Sequence, residues 1–282
     1  MIPHFDAKAI AARDAETLDR LGTAARDIGF LTVSNTALTP ARVRFALAAY
    51  RAFFELPDAE KRAVDMSVTG ANRGWGASLS EQVDPKANPD YKQVFDCGFE
   101  APETGLAVYA RNLWPARPEG FRPVVQAYWR DAMAVSMTLL RGIAAAIGQP
   151  ADWFDDKFDR PMALLRGNYY PPRPDWATER DFGIGAHTDY GCLTLLASDG
   201  VPGLEVRGRD GTWLPVDAAP GTFVINFGEM LEMWTDGAVK ATPHRVKGSP
   251  EERISLPLFF NPNHDANVAP IGSGRTILAG DH

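Results

Sequence analysis

The chain of 282 residues has almost no cysteine: Cys97 and Cys192 are its only two. That is too few to staple a secreted scaffold; it fits a reducing cytosol and leaves room for a single bridge at most. An excess of positive charge is also missing. Lys and Arg number 29 against 36 Asp and Glu, a formal net charge of −7, so there is no electrostatic footprint for nucleic acid or an anionic membrane. No uninterrupted apolar run approaches the roughly 20 residues that would span a bilayer. Charges break the short apolar stretches of the N-terminus, MIPHFDAKAIAARDAE, which therefore lacks the apolar core of a signal peptide. Internal repeats and low-complexity segments are absent as well. The expectation is a cytoplasmic protein with one catalytic domain and a small-molecule partner, engaging neither nucleic acid nor membrane, its oligomeric state open.

What is present changes in texture along the chain. Residues 1–110 read as mixed helix and strand. Leu18, Leu21, Ala25 and Ile28 recur at helical spacing, Phe30 to Ser34 reads as a strand, and Pro40 suits the first turn of a helix running to about Leu56. Pro57 and Asp58 mark a break before another short helix, and residues 67–90, rich in Gly, Asn, Asp and Pro, are expected to form an exposed loop. Residues 111–160 hold a long helix from about Arg117 to Gly148, whose apolar stripe of Val124, Val125, Tyr128, Met133, Met137, Leu140, Ile143 and Ile147 is core packing. Residues 161–282 shift to short β-rich runs between turn signals: ALLRGNYY, GIGAHTD, CLTLLAS, GLEVRG, TWLPV, TFVINFG, PHRVK and RISLPLFF. That rhythm predicts a mainly β fold with flanking helices, a sandwich or barrel of jelly-roll type.

On this scaffold His187 and Asp189 stand one residue apart in G-A-H-T-D-Y-G, so on a strand both side chains leave one face. His244, in T-P-H-R-V, can join them from a facing strand. Two imidazoles and a carboxylate on one face of an octahedron, with open positions opposite, form the donor set of non-haem iron(II) oxygenases. Nine residues after His244, Arg253 and Ser255 form a second pair of this spacing. An arginine facing a barrel interior requires an anion. Its planar fork matches a carboxylate, to which the serine hydroxyl adds a donor, and a salt bridge to a protein carboxylate is the competing explanation.

With these motifs goes further wording: F30-L-T-V-S-N, F53-F-E-L-P-D-A-E-K, N72-R-G-W, N168-Y-Y-P-P, H187-T-D-Y-G-C-L-T-L-L, G203-L-E-V, W213-L-P-V, N226-F-G-E-M and R253-I-S-L-P-L-F-F-N-P. Over nearly its whole length the chain resembles the isopenicillin N synthase-like branch of the iron(II)/2-oxoglutarate-dependent oxygenases. The resemblance implies a distorted double-stranded β-helix, with iron held by His187, Asp189 and His244. Arg253 and Ser255 would meet the distal carboxylate of 2-oxoglutarate, helped by Asn168, Tyr170 and Arg166. Dioxygen would be consumed, and 2-oxoglutarate would leave as succinate and carbon dioxide while a substrate is oxidised. Hydroxylation is the default outcome; desaturation and ring closure stay open, and the Asp189 carboxylate disfavours halogenation. Substrate-pocket candidates by similarity are Arg73, Trp75, Tyr190, Phe259 and Asn261, with Arg73 pointing to a substrate carboxylate. Glu229 and Asp236 depart from the family wording at positions expected to be peripheral. Relatives usually carry a C-terminal helix beyond the point corresponding to Gly280-Asp281-His282, so a lid or edge is expected to be lacking here. Three other readings stand beside this one: an iron oxidase that dispenses with 2-oxoglutarate, a catalytically silent barrel binding a metal or small acid, and a zinc hydrolase.

Overall fold

The computed structural model describes residues 2–68, 70–82, 84, 88–173, 175, 177–178 and 181–282. Its N-terminal part contributes four strands, β1 (His4–Asp6), β2 (Phe30–Ser34), β3 (Gly74–Gly76) and β4 (Gln93–Gly98), with helices α1 (Ala7–Ala11), α2 (Ala15–Asp27), α3 (Pro40–Phe54) and α4 (Asp58–Lys61). Local chemistry sets these helices. Asp14 caps α2 by accepting the Thr17 N–H, and Thr39 caps α3 ahead of Pro40 in its first turn. The long helix α5 (Phe121–Ala146) begins later than the start near Arg117 expected from the sequence. Pro118 lacks the amide donor and Gly120 is left-handed at φ 81°, so helical geometry cannot extend back to Arg117.

After α5 come the eight strands that the β-rich runs predict: β5 (Leu164–Tyr170), β6 (Ile184–His187), β7 (Leu193–Ser198), β8 (Leu204–Arg207), β9 (Trp213–Pro215), β10 (Phe223–Phe227), β11 (His244–Val246) and β12 (Arg253–Phe260). A short helix, α6 (Glu229–Trp234), follows β10. The strands form two sheets. One is eight-stranded in the order β1-β2-β10-β7-β12-β5-β4-β3, the other four-stranded in the order β6-β11-β8-β9. This is the mainly β, helix-flanked double-stranded β-helix expected.

The outer face of the large sheet is buried under α2, α3 and α5. Leu195, Leu256 and Leu258 from the sheet and Tyr50, Phe53, Phe121 and Leu140 from the helices are all in that core. The opposite face looks toward the small sheet, where Phe30, Val206, Val224 and Val246 make a smaller apolar cluster. Alternation along each strand therefore separates a helix-packed row from a row that faces the interior between the sheets.

One expectation needs correcting. Residues 67–90 do not form an exposed loop throughout, because Arg73, Gly74, Trp75 and Gly76 are buried; positions 69, 83 and 85–87 of that stretch lie outside the described residues. Gly74–Gly76 adds as an edge strand antiparallel to β4. Glycine there serves close contact: a Cβ on Gly74 would lie 2.1 Å from the Val64 carbonyl oxygen.

Candidate active site

Two neighbouring strands bring the three sequence-predicted metal ligands together. His187 ends β6, His244 begins β11, and the two are register partners across the antiparallel pair. Asp189 lies two residues past the end of β6, so a turn rather than strand alternation directs it. His187 Nε2 and His244 Nε2 each lie 3.7 Å from the same oxygen, Asp189 Oδ1, and the donor atoms of all three fall within 4.8 Å of one another. Each imidazole donates its Nδ1–H to a backbone carbonyl, His187 to Gly185 at 2.8 Å and His244 to Thr242 at 3.2 Å. That fixes the tautomer and leaves both Nε2 lone pairs for a cation. Burial and the neighbouring His244 push the His187 imidazole down to about 4, so it is neutral near pH 7. Burial alone would raise the Asp189 carboxyl, but the two imidazoles and donors from Thr194 and Asn226 outweigh it and hold the group below its ordinary value.

The triad opens on a small inner chamber between the sheets, with a cavity volume of about 100 Å³. Arg166, Asn168 and Tyr170 of β5 and Arg253, Ser255 and Phe259 of β12 line it. Register explains the grouping, since Arg253 pairs with Tyr170 and Ser255 with Asn168. Arg253 is 3% exposed. Its Nε–H donates to the Val201 carbonyl at 3.1 Å, while Nη1 is buried without a partner. Among the described residues it makes no salt bridge, so the competing explanation for a buried arginine fails here. Asn168 Oδ1 is likewise buried and unpartnered. A buried cation without a counter-ion, beside a serine hydroxyl and in one chamber with a His-Asp-His set, fits Fe(II) and a dicarboxylate.

Arg166 differs. Its guanidinium grips Asp96 through two nitrogens, at 2.9 and 2.7 Å, and Glu81 through the third at 3.0 Å. It lines the chamber with its donors engaged by protein.

A wider outer chamber shares His187, Asp189, Thr194, Arg166 and Phe259 with the inner one. Arg73, Tyr190 and Asn261 line it. Arg73 is buried and donates to the carbonyls of Asn72, Phe99 and Val108. Asn261 Oδ1 accepts the Cys192 N–H at 2.8 Å, and Tyr190 is 80% exposed. Trp75 lines neither chamber: its ring is in the helix-packed core, with Nε1–H donated to Gln93 Oε1.

Sequence reasoning missed several contributors. Thr194 and Asn226 both bond to Asp189, Phe30 sets its ring edge-on to His244 with centroids 5.3 Å apart, and Lys92 lines the inner chamber. The signal existed in part, because Phe30, Thr194 and Asn226 all fall within the motif wording. Lys92 had no such pointer.

Comparison with known proteins decides the family. A model described as the 2OG-Fe(II) oxygenase superfamily matches residues 161–262, and one described as the non-haem dioxygenase in morphine synthesis N-terminal region matches residues 2–117. Homoarginine-6-hydroxylase 2-ODD-233 of Oryza sativa subsp. japonica is 34% identical over 276 residues, covering 94% of this chain and 83% of the relative. The chain belongs to the 2OG-Fe(II) oxygenase superfamily. Its fold agrees with that of a full-length Neurospora crassa protein solved in complex with alpha-KG, at TM-score 0.89 and 27% identity over 99% of this chain and 93% of that one. It agrees also with JOX2 in complex with 2OG, Fe and JA, at TM-score 0.82 and 29% identity over 96% and 78% of the two chains. The protein is thus a 2-oxoglutarate-dependent dioxygenase with Fe(II) as its metal and 2-oxoglutarate as its cosubstrate.

Proposed function

We propose that this dioxygenase hydroxylates a small organic molecule in the outer chamber, with His187, Asp189 and His244 holding Fe(II), and Arg253 and Ser255 anchoring the distal carboxylate of 2-oxoglutarate. The observation that carries the proposal is the unpaired Arg253 Nη1, buried in the chamber that the metal triad also lines. When bound, Fe(II) with 2-oxoglutarate and dioxygen supplies the oxidising chemistry and releases succinate and carbon dioxide. The protein binds, orients and excludes water. Arg253 and Ser255 fix one end of the cosubstrate, and Asn168 and Tyr170 flank it, the Tyr170 ring lying 5.1 Å beneath the Arg253 guanidinium. Arg166 acts through its ion pairs, holding the wall between the chambers.

Hydroxylation is favoured over desaturation or ring closure because a relative aligned over 94% of this chain is a hydroxylase by name. In this reading the substrate reaches the site past Tyr190, Phe259 and Asn261, and Arg73 with its unpaired Nε presents positive charge to a substrate carboxylate. The stretches 1–110, 111–160 and 161–282 act as one catalytic unit, since β1 to β4 hydrogen-bond into the sheet that carries Arg253. Two buried free thiols, Cys97 and Cys192, support a cytoplasmic setting, and no helix among the described residues is long and apolar enough to cross a membrane.

The test is a screen of small acids, amino acids and aromatic metabolites for substrate-stimulated succinate release. The proposal expects at least one compound to gain a hydroxyl with one succinate formed per product. A product formed without succinate would contradict it.

A further inference from the structure

The turn that bears Asp189 is moulded by other parts of the chain. Asp189 lies beyond β6, so no strand ladder sets its direction. Instead the segment from β10 into α6 supplies the constraint: Gly228 N–H donates to the Cys192 carbonyl at 2.9 Å, Glu229 N–H to the Asp189 carbonyl at 2.8 Å, and Met230 N–H to the Tyr190 carbonyl at 3.0 Å. Thr188 closes the other side by donating its hydroxyl to the Glu229 carboxylate. These contacts fix the backbone of the turn.

The carboxylate itself is fixed by two side chains. Thr194 Oγ1–H and Asn226 Nδ2–H both donate to Asp189 Oδ2, each at 2.6 Å. Thr194 on β7 and Asn226 on β10 are direct register partners, so their side chains leave the sheet side by side on the chamber face. Both are buried, at 5% and 3% exposed. With Oδ2 occupied twice, the oxygen that faces both imidazoles is Oδ1.

We infer that Thr194 and Asn226 are positioning residues that make Asp189 a one-oxygen metal ligand. The inference rests on the metal assignment proposed above. A carboxylate that offers a single oxygen leaves three positions free on an octahedral ion; one that turns to offer both takes a position that the cosubstrate or dioxygen needs. Two charge-assisted hydrogen bonds to one oxygen oppose that rotation. Supporting groups around metal ligands commonly contribute 10- to 100-fold in metal affinity.

The test uses Thr194→Val, which keeps the shape and removes the donor, Asn226→Leu, and Thr194→Ser, which keeps the donor. Each metal-free protein is checked by thermal melting, then titrated anaerobically with Fe(II) at saturating 2-oxoglutarate while the visible metal-to-ligand charge-transfer band is followed. Thr194→Val and Asn226→Leu are expected to need about 10- to 100-fold more Fe(II) for half-saturation, and Thr194→Ser to stay close to wild type. Wild-type Fe(II) affinity in folded Thr194→Val and Asn226→Leu would overturn the inference alone, as would a loss in Thr194→Ser equal to that in Thr194→Val. A wild-type protein that develops no band would overturn the metal assignment and the inference with it.

Discussion

At the scale of residues, the site is defined by which polar atoms are satisfied and which are not. His187 and His244 spend their Nδ1–H groups on backbone carbonyls, and Arg166 spends its guanidinium on Asp96 and Glu81. In the inner chamber Arg253 keeps one guanidinium nitrogen, Nη1, buried without a partner among the described residues. Removing it should raise the KM for 2-oxoglutarate about 10- to 100-fold, the worth of a lost hydrogen bond to a charged partner, with little change in kcat at saturating cosubstrate; steady-state kinetics check this. Glu81 offers a second test. Burial raises its carboxyl, but Arg166 and Lys92 outweigh that and bring it below the ordinary value. A carboxyl lowered in the folded state stabilises fully above its unfolded pKa of about 4.3 and loses that contribution as pH falls through the folded value. The melting-temperature advantage of wild type over Glu81→Gln should therefore be present at pH 7 and shrink below about pH 4; an advantage independent of pH would show that the ion pairs do not titrate as described.

At the scale of elements, the active site is a row of cross-strand partners. Phe30 pairs with Asn226, Asn226 with Thr194, and Thr194 with Phe259, so β2, β10, β7 and β12 each place one side chain in line across the chamber face. Period-two alternation made the Arg253 and Ser255 pair legible from sequence, because β12 continues unbroken through both. The same logic was right in outcome for His187 and Asp189 and wrong in cause, since the strand ends at His187 and the turn aims the carboxylate. Nothing local in G-A-H-T-D-Y-G reveals that the mould for this turn lies near residue 228. Gly228 shows the dependence most sharply. Its φ of −103° and ψ of 173° suit any residue, yet a Cβ there would lie 2.3 Å from the Gly191 carbonyl oxygen and 2.6 Å from that of Asp189. Gly228→Ala should cost about 1–3 kcal/mol through overpacking and weaken Fe(II) binding together with stability, measurable by melting and metal titration of one sample.

At the scale of the whole molecule, the β-rich texture after Pro161 translated directly into eight strands, because short apolar runs between turn residues leave few other ways to pair and bury them. The N-terminal region was less legible. Its helices carried clear caps and stripes, but β3 hid inside a stretch whose Gly and Asn content reads as loop, and Arg73 and Trp75 were buried there by tertiary pairing with β4. The charge network of Glu81, Lys92 and Arg166 was equally invisible, because it joins residues 85 positions apart that no periodicity links.

The central claim is that the inner chamber couples 2-oxoglutarate to dioxygen at the His187, Asp189 and His244 centre. Turnover under ¹⁸O₂ tests it most directly, with succinate analysed by mass spectrometry in wild type and in His187→Ala. The account predicts succinate carrying one labelled oxygen from the wild-type protein and none formed by the variant. Unlabelled succinate, or 2-oxoglutarate left unconsumed by the iron-loaded wild-type protein, would contradict it.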